Sequence, residues 1–405
     1  MREFRFGVIA CVVTAMFVVT AGAQTFTVLH RFDDTKGAKD GRYPFGALIW
    51  GPGGTLYGTT DAGGGVVNAG TVFQVSLSGQ ESVLYSFRMA PDGKMPQGAL
   101  VLGPDGTLYG TTNEGGTAGF GTVFKLVNVN GTYHETVVYS FQGGHDGAYP
   151  SSSLVLDAAG NLYGTTFYGG NSLCTLGCGT VFKIDANGQE TIMYAFGGAP
   201  DGANPYSGLI EDSAGNLYGT TTYGGSHNFG TVFSLNPSGQ ETILHNFAGP
   251  PDGAAPYAGL FRDAAGDLFG TTQGGGNKLG CSGFGCGTVF EVKSTGEEVV
   301  LYSFFNYKNG GNPYGGVVED KAGNLYGTTL GLGNTSVECH YYERCGTVFK
   351  LHPNGTLTTL HAFTNSGDGA FPRDSLIVDE SGNLYGTSSG NGDTGSQGTV
   401  FKLTP

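Results

Sequence analysis

The chain has 405 residues, of which 75 are glycine and only 13% are charged, and its formal net charge is −14. Glycine is costly inside a helix, and helical surfaces normally carry many Lys, Glu and Arg residues, so this composition argues against a helical protein. The negative charge repels a nucleic-acid backbone and an anionic membrane surface, and we expect neither as a partner. A soluble β-protein fits these properties best.

The first 23 residues have the pattern of a signal peptide. Arg2 and Arg5 provide the positive start, and Val8 to Val19 form an apolar stretch that is short for a membrane span. Ala21-Gly22-Ala23 then matches a small-x-small cleavage site. The alternative, an uncleaved anchor, is less favoured. We therefore expect an exported chain, secreted or held in the periplasm or cell envelope, with a mature domain of residues 24–405 and no membrane span after cleavage.

Four sequence blocks recur in fixed order along the mature chain, and each occurs seven times. The first is an alternating strand, at Val28–Phe32, Val83–Phe87, Val137–Phe141, Ile192–Phe196, Ile243–Phe247, Val300–Phe304 and Thr359–Phe363. The second is Asp-Gly-x-x-Pro, with one Asn variant. The third is centred on Tyr-Gly-Thr-Thr, beginning at Tyr57, Tyr109, Tyr163, Tyr218, Phe269, Tyr326 and Tyr385. The fourth is Gly-Thr-Val-Phe, beginning at Gly70, Gly121, Gly179, Gly230, Gly287, Gly346 and Gly398.

Each repeat of about 50–60 residues predicts four antiparallel strands, because alternation and β-branched or aromatic residues mark the strands and short glycine-ended turns connect them. We name them A (the apolar strand after Asp-Gly-x-x-Pro), B (Tyr-Gly-Thr-Thr), C (Gly-Thr-Val-Phe) and D (the alternating strand). Four strands are the content of a propeller blade, whereas the coils of a β-solenoid, the competing architecture, are much shorter.

The two ends of the chain predict how the ring closes. The mature chain opens with a D strand at Phe26–Phe32 and finishes with a C strand at Gly398–Leu403. The N-terminal strand can therefore complete the last blade and leave no unpaired edge. The sequence predicts an all-β fold, a closed seven-bladed β-propeller of four-stranded antiparallel blades, which we expect to be a monomer.

These residues resemble a known family. The succession Gly-Asn-Leu-Tyr-Gly-Thr-Thr, Gly-Gly, Gly-Thr-Val-Phe-Lys and Leu-Tyr-Ser-Phe resembles the GloVer tandem repeat of exported bacterial "choice-of-anchor" proteins, over essentially all of residues 26–405. The resemblance implies an extracellular or envelope repeat protein and no established enzymatic activity. Members of the family often carry a C-terminal sorting segment after the repeats, whereas Pro405 lies inside the predicted last blade.

The six cysteines of the mature chain fall into three close pairs. An even count at short spacing in an exported chain predicts local disulfides, here Cys174–Cys178, Cys281–Cys286 and Cys339–Cys345. The zinc alternative is weak, because only His340 lies beside any pair and the spacings differ. The pairs lie in the three longest B–C loops, which hold 12, 14 and 16 residues against 8 or 9 elsewhere.

The predicted strand order places the D–A and B–C loops on one face of the propeller. The Asp-Gly-x-x-Pro motif is the D–A loop, so this face receives Asp40, Asp92, Asp146, Asp201, Asp252 and Asp368, with Asn309 in the remaining repeat. Such a ring of carboxylates can bind a cation such as Ca²⁺ or the hydroxyls of a glycan. Alternatively, each Asp caps its own turn. We favour the structural role, because the motif recurs in every blade and binding sites usually break symmetry.

The B–C loops do break the symmetry, and the longest two belong to blades 5 and 6. Aromatic side chains on disulfide-stapled loops suit stacking against sugar rings or a protein partner. We therefore expect any ligand to lie off-centre toward blades 5 and 6, at Asn309, His340, Tyr341, Tyr342, Glu343, Arg344 and Phe284. Insertions without any binding role are the alternative.

No residue pattern identifies a catalytic centre or a cofactor. Gly386-Thr-Ser-Ser-Gly390 spells a nucleophile elbow, but it is the seventh copy of the strand B motif and no helix follows it. His30, His245 and His361 replace a strand D tyrosine and suggest packing, while Glu81, Glu190 and Glu241 read as solvated turn residues. Two function classes remain: a non-enzymatic binding module for glycans or a protein, and a propeller enzyme acting on glycans through carboxylates of the loop face.

Overall fold

The computed structural model describes residues 24–33, 40–88, 90–305, 309–333, 345–390 and 396–405. It contains seven four-stranded antiparallel sheets, and the described residues contain no α-helix. The predicted seven-bladed β-propeller is therefore confirmed. The signal-peptide prediction falls on residues 1–23, outside the described residues.

Within each blade the strands follow the order A, B, C, D. The A strands are very short, at Ile49–Trp50, Val101–Leu102, Val155–Leu156, Ile210–Glu211, Phe261–Arg262, Val318–Glu319 and Ile377–Val378. The B strands are Leu56–Thr60, Leu108–Thr112, Leu162–Thr166, Leu217–Thr221, Leu268–Thr272, Leu325–Thr329 and Leu384–Ser388. The C strands are Thr71–Val75, Thr122–Val129, Thr180–Ile184, Thr231–Leu235, Thr288–Val292, Thr347–Leu351 and Ser396–Thr404. The D strands of blades 1 to 6 are Glu81–Ser86, Thr132–Ser140, Glu190–Ala195, Glu241–Asn246, Glu298–Ser303 and Leu357–Ala362.

The D strand of blade 7 comes from the other end of the chain. Thr25–Asp33 pairs antiparallel with the C strand Ser396–Thr404, and Val28 lies opposite Phe401 in the register. Since the other strands of this sheet are Leu384–Ser388 and Ile377–Val378, the N-terminal strand supplies the outer strand of the last blade. The predicted closure of the ring is thus confirmed.

The repeated glycine and threonine of strand B have packing reasons. A side chain on Gly58 would come within 2.5 Å of the Phe73 ring of strand C, so only glycine lets this ring lie against strand B. Thr60 and Thr71 share a hydrogen bond of 2.7 Å between their hydroxyls. The Thr59 hydroxyl donates to the carbonyl oxygen of Gly98 in the next blade at 3.1 Å. Strand B therefore joins its own blade to the following one.

Neighbouring blades also interlock through a fully buried phenylalanine at the end of each D strand. Phe32 lies edge-on to Phe73 of blade 1 with ring centroids 5.1 Å apart, and both rings have no exposed surface. The same contact joins the other blades, as Phe87–Phe124, Phe141–Phe182, Phe196–Phe233, Phe247–Phe290, Phe304–Phe349 and Phe363–Phe401. The hydrophobic core is consequently a set of interfaces between blades rather than one central core.

The D–A and B–C loops share one face of the propeller, as predicted. In four blades they pair as two-stranded ladders, namely Gly41–Arg42 with Ala62–Gly63, Gly93–Lys94 with Glu114–Gly115, Gly202–Ala203 with Tyr223–Gly224, and Gly253–Ala254 with Gly274–Gly275. Three 3₁₀ turns, two of them in these loops, complete the described elements, at Pro52–Gly54, Gly144–Asp146 and Cys281–Gly283.

Candidate functional site

The six motif aspartates lie in equivalent D–A loops, and each accepts hydrogen bonds close to itself in the chain. Asp92 is typical: its Oδ1 accepts from the backbone N–H of Gly93 at 2.6 Å. Its Oδ2 accepts from the backbone N–H of Arg88 and from the Tyr85 hydroxyl, both at 2.9 Å. These contacts are those of a turn cap that also anchors strand D. Binding of a cation by the Asp residues stays a prediction.

Asn309 occupies the equivalent position and contacts the equivalent partner, since its Nδ2 donates to the Tyr302 hydroxyl at 3.0 Å. Phe284 follows the 3₁₀ turn of the blade 5 loop, is half exposed, and has its ring centroid 5.8 Å from that of Phe229. The other predicted ligand contacts, His340, Tyr341, Tyr342, Glu343 and Arg344, lie outside the described residues. Binding at this group therefore stays a prediction.

Two of the predicted disulfides are confirmed, Cys174–Cys178 and Cys281–Cys286. Cys345 is buried and disulfide-bonded, and Cys339 lies outside the described residues. The stapled loop of blade 3 reaches toward the propeller axis, where Phe167 lies edge-on to Tyr206 with centroids 5.9 Å apart. Tyr206 belongs to an aromatic group that the sequence analysis did not identify.

That group lines a cavity of about 190 Å³ to which all seven blades contribute, which places it on the propeller axis. The residue directly after the motif proline supplies one side chain per blade. We call these residues the post-proline ring: Phe45, Gln97, Ser151, Tyr206, Tyr257, Tyr314 and Arg373. These seven residues meet because each D–A loop leads into strand A, and the starts of the seven A strands surround the axis.

One side of the post-proline ring is aromatic. Tyr257 and Tyr314 stack with centroids 4.5 Å apart and an interplanar angle of 17°. Tyr206 lies edge-on to both, at 5.4 and 5.8 Å. The Arg373 guanidinium lies 4.6 Å from the Phe45 centroid and 5.8 Å from that of Tyr314. These residues from blades 4 to 7 and 1 form a continuous aromatic wall with one cation held against it.

The opposite side is polar and already hydrogen-bonded. Gln97 Nε2 donates to Asp61 Oδ1 at 2.8 Å, and the side-chain amide of Asn113 donates to the Ser151 hydroxyl at 2.7 Å. Asp374 lines the cavity too, but its two oxygens accept from the backbone N–H groups of Ala47 and Ser375.

Burial fixes the protonation of the tyrosines. It raises the pKa of Tyr206 to about 12 and raises the pKa values of Tyr257 and Tyr314 as well. All three remain neutral hydroxyls at ordinary pH, so they donate and accept hydrogen bonds but do not act as bases. Burial also raises the pKa of Asp374 to about 6, although hydrogen bonds from the backbone oppose the shift.

The sequence contained a signal for this ring. The position after the motif proline is Phe, Gln, Ser, Tyr, Tyr, Tyr and Arg in the seven repeats, although the proline before it never changes. The length of the B–C loops and their cysteines instead favour a site at the stapled loops. The post-proline ring and the predicted site at the stapled loops lie on the same face and share blades, but they consist of different residues.

A further feature of the repeat differs from expectation. Glu190 and Glu241, predicted to be solvated, are partly buried, and each has one fully buried oxygen without a hydrogen-bond partner. Burial, reinforced by the motif aspartate of the preceding D–A loop, raises the pKa values of both to about 7. Strand D begins against the neighbouring blade rather than in solvent, which explains the difference.

The architecture defines the class of protein: a closed seven-bladed β-propeller with a post-proline ring on its axis. The chain belongs to the Gloeobacter/Verrucomicrobia repeat family, whose model matches residues 14–176 and 172–401. The resemblance to the GloVer repeat is thereby confirmed. No curated protein matches the chain.

One solved structure of low identity shares the fold. This structure, described as the extracellular domain of a one-component system of B. thetaiotaomicron, has a TM-score of 0.58 and 11% identity, covering 93% of this chain and 39% of that structure. The chain therefore spans about two fifths of that protein's length. A second structure is described as a 6-phosphogluconolactonase of Bacteroides fragilis, with a TM-score of 0.49 and 17% identity over 84% of this chain and 87% of that one. A third is described as an oxidoreductase (glucose dehydrogenase) of Thermus thermophilus, with a TM-score of 0.46 and 16% identity over 94% of this chain and 100% of that one. The described part of the chain has no helix with the length and apolar character needed to cross a bilayer.

Proposed function

We propose that this chain is an exported, non-enzymatic binding module that holds a saccharide unit against the post-proline ring. The single observation that carries the proposal is the aromatic wall on the axis, where Tyr257 and Tyr314 lie stacked beside Tyr206. In a propeller the axis is where loops from every blade converge, and the residue after the motif proline, which lines the cavity there, differs among the repeats.

The chemistry of the ring suits a sugar. Aromatic faces contact the apolar C–H face of a sugar ring, and neutral tyrosine hydroxyls supply donors and acceptors for its hydroxyl groups. Arg373 and Gln97 add a cation and a neutral amide to the cavity wall, and the Gln97 amide donates to Asp61 behind it. A cavity of about 190 Å³ is small, which favours a single sugar unit or the end of a glycan chain.

The sequence features support export. The N-terminal pattern of a signal peptide and the disulfides in the loops both suit an oxidising compartment outside the cytoplasm. A glycan or a protein partner would be met there, in the periplasm, on the cell surface or in the medium.

Catalysis is the less supported alternative. Glycoside hydrolysis normally needs two carboxyl groups facing the bond, one as acid and one as base or nucleophile. At this cavity Asp374 is engaged by two backbone N–H groups and Asp61 by Gln97. Mass analysis of any bound glycan before and after long incubation separates the two functions, because an enzyme changes the glycan and a binding module returns it intact.

The site is tested by a saccharide screen with the purified chain, followed by calorimetry on the best ligand. In the double variant Tyr257→Ala/Tyr314→Ala we expect affinity to fall roughly 5- to 150-fold, since an aromatic contact contributes about 0.5–1.5 kcal/mol beyond its buried area. The matched control is Phe284→Ala, which removes a half-exposed aromatic side chain of the same face outside the cavity and should leave affinity unchanged.

Three outcomes decide between the sites. Loss of affinity in the tyrosine pair with retained melting temperature supports the axial site. Unchanged affinity in the tyrosine pair, with loss in Phe284→Ala or in Tyr341→Ala/Tyr342→Ala, transfers the site to the stapled loops. If no saccharide binds, but a protein partner binds to the wild type and not to the double tyrosine variant, the site is retained and the ligand is a protein.

A further inference from the structure

The outer edges of neighbouring blades meet at a repeated group of three side chains, which we call the outer junction. It consists of the Tyr or His of one D strand, the motif Asp or Asn that follows it, and a residue in the first half of the D strand of the next blade. In the junction between blades 1 and 2 these are Tyr85, Asp92 and Glu135, and the Tyr85 hydroxyl bonds Asp92.

The seven outer junctions differ in composition. Three have the set Tyr, Asp and Glu, namely Tyr85/Asp92/Glu135, Tyr139/Asp146/Glu190 and Tyr194/Asp201/Glu241. Two have His in place of Tyr, namely His30/Asp40/Glu81 and His245/Asp252/Glu298. One has Tyr302, Asn309 and Leu357, and the last has His361, Asp368 and Phe26.

The exchange of Tyr for His changes the available chemistry. A tyrosine hydroxyl donates its proton to the Asp and completes a hydrogen-bonded pair, whereas neutral imidazole offers a nitrogen lone pair beside two carboxylates. One nitrogen and two carboxylate oxygens from separate residues form a ligand set that suits Zn²⁺ and related divalent transition metals.

In the junction of His30, Asp40 and Glu81, the ligand atoms of the histidine and the aspartate lack a hydrogen-bond partner. The side chains of His30 and Asp40 are only 8% and 2% exposed, and neither His30 Nε2 nor Asp40 Oδ2 has a hydrogen-bond partner. These two atoms are 3.4 Å apart, beyond ordinary hydrogen-bond length. This separation equals the edge of about 3.4 Å between two ligands of a tetrahedral zinc ion with bonds of about 2.0–2.1 Å.

The third ligand atom completes the group. One atom each from His30, Asp40 and Glu81 lies within 4.8 Å of the other two, and the same holds for His245, Asp252 and Glu298. Glu298 Oε1 is fully buried and has no hydrogen-bond partner, while His245 Nε2 lies 3.1 Å from Asp252 Oδ2. Because buried polar atoms normally have partners, the unpaired atoms of His30 and Asp40 call for a further species between them. The second group offers the same three residue types, with His245 hydrogen-bonded to Asp252.

We propose that these two outer junctions each bind a divalent transition-metal ion, with Zn²⁺ as the best match. The metal would receive His Nε2, an Asp oxygen and a Glu oxygen, and water would complete the coordination. At the first junction the ion would join the N-terminal closing strand, which carries His30, to the D strand of blade 1, which begins at Glu81. The ion would therefore fasten the ring at its closure.

The seventh junction provides an internal control. His361 and Asp368 are arranged like the other pairs, with 3.1 Å between Nε2 and Oδ2, but Phe26 replaces the glutamate and stacks on the imidazole with centroids 3.7 Å apart. It lacks the third ligand, so the same pair of residue types is not expected to hold the ion.

The test measures zinc in the full chain purified without a polyhistidine tag, after exposure to Zn²⁺ and removal of free metal. Elemental analysis should find two ions per chain in the wild type, one in His30→Tyr or His245→Tyr, and none in the double variant. These substitutions restore the Tyr of the commonest junction, so folding should be retained. His361→Tyr should keep two ions.

Two further measurements check that the ions are bound at these sites. Co²⁺ in place of Zn²⁺ should give visible absorption bands that the double variant loses. Zn²⁺ should raise the melting temperature of the wild type and of His361→Tyr, and not of the double variant. Absence of zinc from the wild type, equal zinc in the double variant, or equal loss in His361→Tyr would overturn the proposal. If the wild type holds one ion, and His30→Tyr removes it while His245→Tyr does not, the first site is retained and the second is overturned.

Discussion

The closing strand offers a sharp test of the fold, because two equivalent phenylalanines can be compared. Phe32 lies on the N-terminal strand of blade 7, Phe247 directly follows the D strand of blade 4, and both are fully buried. Each is edge-on to a phenylalanine of the next blade at 5.1 Å and to the histidine two residues before it at 4.8 Å. Their local surroundings therefore match, and only their positions in the chain differ.

Replacement of either ring by alanine removes its buried area and leaves a cavity between two blades. Such a change costs about 3–5 kcal/mol in a packed core. Since the two environments match, Phe32→Ala and Phe247→Ala should reduce the free energy of unfolding by similar amounts. This equality requires the N-terminal strand to be as firmly packed as an internal strand.

The chain contains a natural probe for this experiment. Trp50 is the single tryptophan, and its ring lies edge-on to Tyr385 of blade 7 at 5.1 Å, so its fluorescence reports the contact between blades 1 and 7. Denaturant unfolding followed by this fluorescence and by circular dichroism gives the two free energies. If Phe32→Ala costs less than about 0.5 kcal/mol while Phe247→Ala costs about 3–5, the closure is not a stable part of the native ring.

Three further predictions follow from the same structure. Deletion of residues 24–32 removes most of the strand paired with Ser396–Thr404, and the exposed edge should cause aggregation that light scattering detects. A truncated chain that is monomeric and as stable as the intact chain would contradict this prediction. Burial raises the pKa values of Glu135, Glu190 and Glu241, the glutamates of the three Tyr junctions, to about 7. The folded state therefore binds more protons than the unfolded state between pH 4.5 and 7, and the melting temperature should fall as pH rises through this range. Gln at all three positions should flatten this dependence, Glu380→Gln at an exposed site should not, and a melting temperature that rises with pH would refute the assignment. The double variant Cys174→Ala/Cys178→Ala removes a disulfide between residues only 4 apart in sequence, so by the loop-length relation it should lower the free energy of unfolding by roughly 2 kcal/mol or less, as measured by calorimetry. A loss above about 4 kcal/mol would show that the disulfide stabilises more than its own loop.

Much of the fold follows from the sequence because the determining contacts are local and repeated. Gly58 recurs in every strand B because it accommodates a strand C phenylalanine. Thr60 recurs in all but blade 7, where Ser388 makes the same hydrogen bond to a strand C threonine. Both contacts lie within a single blade, so the residues recur at a fixed spacing that is visible in the sequence. The offset of the first and last strands determined the closure in the same way.

The post-proline ring and the outer junctions became visible only in three dimensions. Tyr206, Tyr257 and Tyr314 are about 50 residues apart in sequence and meet because the closed ring turns each strand A toward one axis. Glu298 resembles a turn residue in its own repeat, yet the adjacent blade buries it beside Asp252. A repeat determines its own blade, whereas a site shared between blades depends on how the blades are placed around the ring.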